Sequence, residues 1–188
     1  MPKIIAFNNV SLDGYFVDEN GGMMWAHQRP PDPEFDAFVA GNAGSGGVLL
    51  FGRITYQMMA GYWPSPMALQ QNPVVAEGMN STQKIVFSKT LATADWNNTR
   101  LISGDLVAEV KKLKEEPGNG MAILGSGTIV AQLAHAALID EIQMVVNPVI
   151  LGKGRTMFDG VANRPRLKLI KTRAFPSGLV LLTYSPAQ

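Results

Sequence analysis

The sequence predicts an α/β protein with a mainly parallel central sheet and an antiparallel hairpin at its C-terminal edge. Three observations support this fold class. Short apolar runs alternate with helix-like stretches over most of the 188 residues, as in strand–helix–strand units of a parallel sheet. The turn signal Pro176-Ser177-Gly178 then joins two strand-like runs. Hydrophobic residues make up 46% of the chain and charged residues 16%, so a compact core is expected rather than disorder.

Helices are predicted from apolar periodicity and from residues that start or stop a helix. Pro33 suits a first helical position, and Asp32 suits the capping position before it. A clearly amphipathic segment begins at Leu106 and is stopped before Pro117. The predicted helices are Pro33–Val39, Ile54–Ala60, Leu106–Glu115 and Thr128–Ala137.

Strands are predicted from short apolar runs that turn residues bound. Before the hairpin they are Ile4–Phe7, Val48–Phe51, Lys84–Phe87, Arg100–Ile102, Met121–Leu124 and Glu141–Val146. The hairpin strands are Arg166–Phe175 and Leu179–Tyr184, and a change of phase at Ile170 predicts a β-bulge. The stretch Gly61–Gly78 carries three prolines and is predicted to be an irregular surface excursion.

Composition excludes several classes of protein. The chain has no cysteine, which excludes disulfides and thiolate chemistry, and its two histidines do not provide a histidine-rich metal site. A net charge of +1 without a basic cluster gives no nucleic-acid footprint. No apolar run approaches the roughly 18 residues of a membrane span, and the N-terminal apolar run is too short for a signal peptide. We therefore expect one cytoplasmic domain over residues 1–188, with no bound metal, nucleic acid or membrane.

Three segments that follow predicted strands could bind a nucleotide. They are Gly125-Ser126-Gly127-Thr128, Phe51-Gly52-Arg53-Ile54-Thr55 and Phe87-Ser88-Lys89-Thr90. Ligands of open α/β sheets bind outside the carboxyl ends of the strands, so the three segments could converge on one molecule. A glycine-rich turn that opens a helix favours a phosphate, and Arg53 with Lys89 would suit an extra 2′-phosphate, hence NADPH rather than NADH. Taken singly, each segment is also compatible with an ordinary turn.

A fourth segment, Val10–Tyr15, follows the first strand and precedes a glycine-rich loop. Asp13-Gly14 is a strong turn signal in any protein. If this loop overhangs the cofactor, Asp13 and Tyr15 could face a small-molecule substrate. Trp25 could stack on a flat heterocycle, or it could be a core aromatic.

Together these segments resemble the RibD C-terminal-domain-like family, which has the dihydrofolate reductase fold. The resemblance runs from about Lys3 to Tyr184. It rests on Ser11-Leu12-Asp13-Gly14-Tyr15, Phe51-Gly52-Arg53 with Thr55-Tyr56, Val86–Thr90, Leu124–Gly127, Leu138–Ile142 and Asn147–Phe158. It implies a sheet of about eight strands, NADPH as cofactor and a homodimer. The best-known member is the reductase of riboflavin biosynthesis, which reduces the ribose of 5-amino-6-(5-phosphoribosylamino)uracil.

The resemblance also implies roles for individual residues. The expected cofactor contacts are Ala6 beside the nicotinamide through its backbone, Gly52, Arg53 and Thr55 at phosphate, Ser88 and Lys89 on the adenosine side, and Gly125, Ser126, Gly127 and Thr128 at the pyrophosphate. Asp13 and Asp36 are the candidate proton-relay or substrate-orienting groups. Asp36 lies sixteen residues before Gly52, and dihydrofolate reductases place their pterin-binding carboxylate on the matching helix. It could equally be an ordinary acidic residue of a helix first turn.

Three functions remain open from the sequence. The first is an NADPH-dependent reductase of a riboflavin-type pyrimidine or a related small carbonyl or imine compound. The second is a dihydrofolate reductase proper, which requires Asp36 to face the pterin. The third is a protein that binds the nucleotide without catalysis. Family membership alone does not choose among them.

Overall fold

The computed structural model describes residues 1–43 and 47–187. Its centre is an eight-stranded sheet with the order β5-β4-β3-β6-β1-β7-β10-β9. Six of these strands are parallel, and β10 and β9 are antiparallel at one edge, which confirms the predicted fold class. The strands are β1 (Ile4–Ser11), β2 (Tyr15–Val17), β3 (Val48–Gly52), β4 (Gln83–Phe87), β5 (Thr99–Ile102), β6 (Met121–Leu124), β7 (Glu141–Asn147), β8 (Arg155–Thr156), β9 (Leu167–Ala174) and β10 (Val180–Pro186).

Helices cover both faces of the sheet. They are α1 (Pro33–Ala43), α2 (Arg53–Tyr62), α3 (Pro66–Gln71), α4 (Pro73–Ser81), α5 (Leu106–Glu115) and α6 (Gly127–His135). The predicted cap of α1 is confirmed, because Asp32 Oδ1 accepts a hydrogen bond from the Phe35 amide at 3.0 Å. Its other oxygen accepts from the amide and hydroxyl of Ser177 at 2.9 and 2.5 Å, which fixes α1 to the terminal hairpin.

The prediction of an irregular excursion over Gly61–Gly78 is wrong. This stretch contains the end of α2, all of α3 and most of α4. Pro66 and Pro73 lie at the starts of α3 and α4, where the missing amide hydrogen costs nothing. The Ser65 hydroxyl caps α3 by accepting from the Ala68 amide at 3.2 Å. The prolines were therefore helix-start signals, not helix breakers.

The predicted bulge in the terminal hairpin is confirmed. Thr183 pairs with Lys171 and the next residue, Tyr184, pairs with Leu169, so Ile170 has no cross-strand partner. A small second sheet of β2 and β8 was not predicted. These strands have three and two residues, which is too short for any alternation to show.

Three apolar clusters fill the core. The largest joins the sheet to α5 and α6 and includes Leu50, Ile123 and Leu133. The neighbouring strand residues Phe51 and Leu124 point to the opposite face, where α2 and α4 pack. The third cluster packs α1 on strands β7 and β10. This arrangement leaves the carboxyl ends of the parallel strands open for a site.

Candidate functional site

The structure brings the three predicted nucleotide-binding segments to one edge of the sheet. Strands β4, β3, β6 and β1 are neighbours and parallel, so their carboxyl ends lie side by side. Gly52 is in register with Phe87, which places Arg53 and Ser88 directly after paired residues. Gly125 follows the end of β6 between them and β1. This edge is where open α/β sheets bind ligands.

The sheet splits at this edge because β6 ends before β1 does. Phe7 pairs with Leu124, the last residue of β6, and β1 then continues to Ser11 alongside β7 alone. Ala6 is paired with residues of both neighbouring strands and lies inside the sheet. The first residue beyond the split is Asn8, which sequence reasoning missed. Its side chain is buried, and neither side-chain polar atom has a partner among the described residues.

Ser126 joins the turn after β6 to the start of α2. Its hydroxyl accepts a hydrogen bond from the Gly52 amide at 3.0 Å, and its own amide donates to the Thr55 hydroxyl at 3.0 Å. The Ser126 amide hydrogen is thus donated to Thr55, and the predicted contact of Ser126 with the pyrophosphate stays a prediction. Gly125 has φ of +62°, and a Cβ there would lie 3.0 Å from Thr55 Cγ2. Only glycine fits so close to α2 in that conformation.

Two helix N-termini open toward the same edge. Gly127 and Thr128 begin α6, and Arg53 and Ile54 begin α2. The first amides of a helix have no intrahelical acceptor, and the helix dipole makes this end positive. With the close-packed glycine turn between them, these amides form a cradle that suits the phosphates of a nucleotide.

Two cations stand exposed beside this cradle. Arg53 Nη1 donates to Gln57 Oε1 at 3.1 Å, and within the described ranges neither Arg53 nor Lys89 forms an ion pair. Ser88 shapes the loop that carries Lys89, since its hydroxyl accepts from the Thr90 and Leu91 amides at 3.1 and 3.0 Å. Two exposed cations without carboxylate partners suit an anionic ligand.

Arg155 is a further cation near the α6 N-terminus. It lines a cavity of about 560 Å³ together with Gly127 and Thr128. From the sequence, the stretch Leu151–Phe158 could be a structural turn or could line the site. The antiparallel pairing of β8 with β2, which no local pattern predicts, places Arg155 there.

Asp13 has a structural contact that the sequence did not reveal. Its carboxylate accepts hydrogen bonds from the Ser11 hydroxyl at 2.7 Å and from the Leu151 and Gly152 amides at 3.1 and 2.8 Å. The Ser11 hydroxyl, followed by these amides, lowers the pKa of Asp13 below its ordinary value of 3.8. These hydrogen bonds give Asp13 a structural role, and its role as a proton-relay or substrate-orienting group stays a prediction.

Tyr15 and Trp25 lie in the segment of the chain between β1 and α1. The Tyr15 hydroxyl donates to the Gly152 carbonyl at 3.4 Å, which adds to the Asp13 contact with that loop. Trp25 is half-buried in a single 3-10 turn, and its indole donates to the Gly22 carbonyl at 3.3 Å. Their predicted contacts with substrate stay predictions.

Asp36 is exposed in the first turn of α1. It pairs with Arg29 at 2.5 Å, and 61% of its side chain is accessible. Among the described residues, α1 contributes Val39, Asn42 and Ala43 to the lining of the apolar cavity on the sheet face, and these lie three or more residues beyond Asp36. The structure therefore does not bring Asp36 into that cavity, as a pterin-binding carboxylate would require.

An apolar cavity of about 360 Å³ lies on the sheet face between α1, α2 and α4. It runs from Gly120, before β6, to Leu124 at the end of that strand, next to the glycine turn. A larger depression of about 610 Å³ lies at the amino ends of the strands and shares Gly47 and Thr82 with the apolar cavity. Open α/β sheets bind ligands at the carboxyl edge, which the apolar cavity reaches at Leu124, so we assign this cavity to the site.

Residues 1–43 and 47–187 hold no cluster of three or more His, Asp or Glu side chains that could bind a metal ion. No helix in these ranges is long and apolar enough to cross a membrane.

The fold and this cleft define the dihydrofolate-reductase-like class of α/β proteins. A sequence profile of the RibD C-terminal domain matches residues 2–181, so the chain belongs to that family. The uncharacterized protein YyaP of Bacillus subtilis (strain 168) is 30% identical over 182 residues, which are 97% of this chain and 94% of YyaP.

Solved structures share the fold at low sequence identity. A putative riboflavin biosynthesis protein from Shewanella sp. PV-4 superposes with a TM-score of 0.75 at 23% identity, covering 99% of each chain. Dihydrofolate reductase from Enterococcus faecalis, complexed with NADP(H) and RAB-propyl, superposes with a TM-score of 0.63 at 15% identity, covering 99% of this chain and 97% of the other.

Proposed function

We propose that this protein is an NADPH-dependent reductase of a small organic molecule. The observation that carries the proposal is the phosphate cradle at the split of the sheet. Ser126 fixes the glycine turn to α2 there, and two helix N-termini face the same edge. Arg53 and Lys89 lie beside it and form no ion pair with the described residues. The family and the NADP(H)-bound relative of the same fold support this choice of cofactor.

The residues of this chain would bind and orient the cofactor and the substrate and would exclude water, while the cofactor performs the chemistry. When bound, NADPH supplies a hydride that carries both electrons to an electrophilic carbon of the substrate. The adjacent oxygen or nitrogen then needs one proton. Among the described residues that line the apolar cavity none is an acid, so water is the proton source in this proposal. The geometry of Asp36 likewise argues against a dihydrofolate reductase proper.

Substrate-dependent loss of the reduced-nicotinamide absorbance tests the proposal. Purified protein with NADPH should oxidise it when a reducible ring compound is added, and far more slowly without protein. Nucleotide binding is measured separately by calorimetry. Binding without oxidation, across neutral and phosphorylated acceptors, would favour the hypothesis of a non-catalytic nucleotide-binding protein.

We further propose a homodimer through β9, the last strand of the sheet order. Leu167, Leu169 and Ile170 of this strand are 39%, 50% and 55% exposed, which is a continuous apolar surface on an open sheet edge. Ile170→Lys should convert a dimer to a monomer in light scattering. Val74→Lys, on an exposed apolar residue of α4, is the matched control and should leave the mass unchanged. A wild-type monomer would refute the proposal.

A further inference from the structure

The walls of the apolar cavity are aromatic, aliphatic and thioether side chains. Phe7 of β1 and Leu124 of β6 form its floor at the carboxyl edge, and Met59 and Trp63 of α2 form one side. The Trp63 indole donates to Met59 Sδ at 3.1 Å, so both side chains are held in place. Such walls favour a flat, polarisable ring. A volume of about 360 Å³ lies at the lower end of the range for small-molecule sites.

Charge is absent from the described lining of this cavity. Its polar side chains are the neutral Asn42, Thr82 and Gln143. Gln143 is in register with Phe7 on the neighbouring strand, and its Nε2 donates to Glu141 Oε1 at 2.6 Å. This polar side chain of the wall thus contacts a carboxylate and not a cation. A phosphate bound in this cavity would lose its hydration, and no cation of the described lining would compensate for that loss.

Three cations lie on the cofactor side of this end of the sheet. Arg53 and Lys89 follow β3 and β4, and Arg155 lines the separate cavity beside α6. The described lining of the apolar cavity contains no lysine or arginine. In the proposed function the three cations serve the phosphates of NADPH, so the cavity offers no positive charge of its own to a phosphate on the substrate.

We propose that the substrate is an uncharged, flat ring compound without phosphate, bound in the cavity of Phe7, Val39, Met59, Trp63 and Leu124. This inference rests on the proposed function, because it places the reducible ring beside the nicotinamide end of the cleft. Gln143 and Asn42 are the amide side chains of the described cavity lining. The substrate thus differs from the phosphoribosyl compound that the family resemblance implies.

Two quinone probes with the same rings test the charge preference. Menadione is neutral, and naphthoquinone sulfonate carries one negative charge. Since the chain has no cysteine, neither quinone can react with a thiol of the protein. Calorimetry on protein saturated with NADP⁺ measures binding without turnover. We expect menadione to bind at least about tenfold more tightly than the sulfonate, because the anion must be desolvated in an apolar cavity.

A charge placed in the cavity should reverse this preference. Val39 lines the cavity from α1, and Val39→Lys should weaken menadione and strengthen the sulfonate. Val74→Lys makes the same chemical change at a position that is 64% exposed on α4, and should leave both affinities unchanged. If Val39→Lys does not fold, the two probes on the unmodified protein still decide the question.

The outcomes separate this inference from the proposed function. NADPH binding with tight menadione and weak sulfonate binding supports both. NADPH binding with equal or tighter sulfonate binding, or with binding of neither quinone, overturns the substrate class and leaves the cofactor proposal standing. Absence of NADPH binding overturns the proposed function itself, whatever the quinones do.

Discussion

The hydroxyl of Ser126 lies 3.0 Å from the amide nitrogen of Gly52 and accepts its hydrogen bond. This contact joins residues 74 positions apart, on two loops that follow neighbouring strands. Ser126 holds it with φ of +53°, a left-handed conformation that is uncommon outside glycine. The serine side chain and the strained backbone together set the shape of the proposed phosphate cradle.

Removal of this hydroxyl tests its contribution. Ser126→Ala loses the hydrogen bond, keeps the strained φ and leaves the Gly52 amide without its acceptor, so the free energy of unfolding should fall by about 1–2 kcal/mol. Ser126→Gly loses the same bond but relieves the backbone, and should be less destabilising. Denaturant unfolding measures both, with Ser81→Ala on α4 as control. Equal stability of wild type and Ser126→Ala would show that the contact is not needed.

Asp13 gives a prediction about pH. Its pKa is lowered in the fold, so the ionised form stabilises the contact with Leu151 and Gly152 above pH 3.8, and this stabilisation is lost as pH falls through the folded value. Asp13→Asn should therefore melt at a lower temperature than wild type at neutral pH, and the gap should close in acid. Thermal melting at several pH values checks this. A gap that persists below the folded pKa would mean that the charge is not responsible.

Asn8 and Asn147 are two buried asparagines with opposite surroundings. Asn147 Nδ2 lies 3.0–3.2 Å from Asn9 Oδ1 and the Val10 and Val145 carbonyls, whereas the Asn8 amide has no partner among the described residues. Asn147→Leu should cost about 2 kcal/mol of stability, and Asn8→Leu should be neutral or stabilising by about 1 kcal/mol.

If Asn8→Leu is destabilised, unfolding measured with and without NADPH shows whether Asn8 has a partner in the free protein or contacts the nucleotide. Destabilisation of Asn8→Leu in both conditions would show that Asn8 has a partner in the free protein, which contradicts the prediction. A loss of stability only with NADPH would place the amide at the nucleotide.

Local patterns were sufficient for much of the fold. The helix Leu106–Glu115 and the strand Met121–Leu124 have the predicted bounds. Both were predictable because apolar periodicity and a short apolar run can be recognised from neighbouring residues alone. The strand-to-helix glycine turn at Gly125 likewise follows from neighbouring residues. The order of such segments along the chain was enough to predict that they share one edge of the sheet.

Contacts between distant residues could not be predicted in this way. Asp13 meets Leu151 across 138 positions, and nothing near Asp13 indicates that its carboxylate is already occupied. Lys84 was predicted only as part of a strand. In the structure its buried ammonium donates to the Met79, Asn80 and Thr82 carbonyls at the end of α4, and burial lowers its pKa to about 8. Such roles depend on packing, which the local sequence does not encode.

The central claim is that this edge of the sheet binds NADPH through its phosphates. Calorimetric titration of wild type and Arg53→Ala with NADPH and with NADH tests it most directly, with Arg100→Ala on β5 as control. We expect saturable NADPH binding that is tighter than NADH binding, and in Arg53→Ala a loss of affinity of about tenfold or more for NADPH but little for NADH. No NADPH binding by the wild type, or equal weakening of both nucleotides by Arg53→Ala, would contradict it.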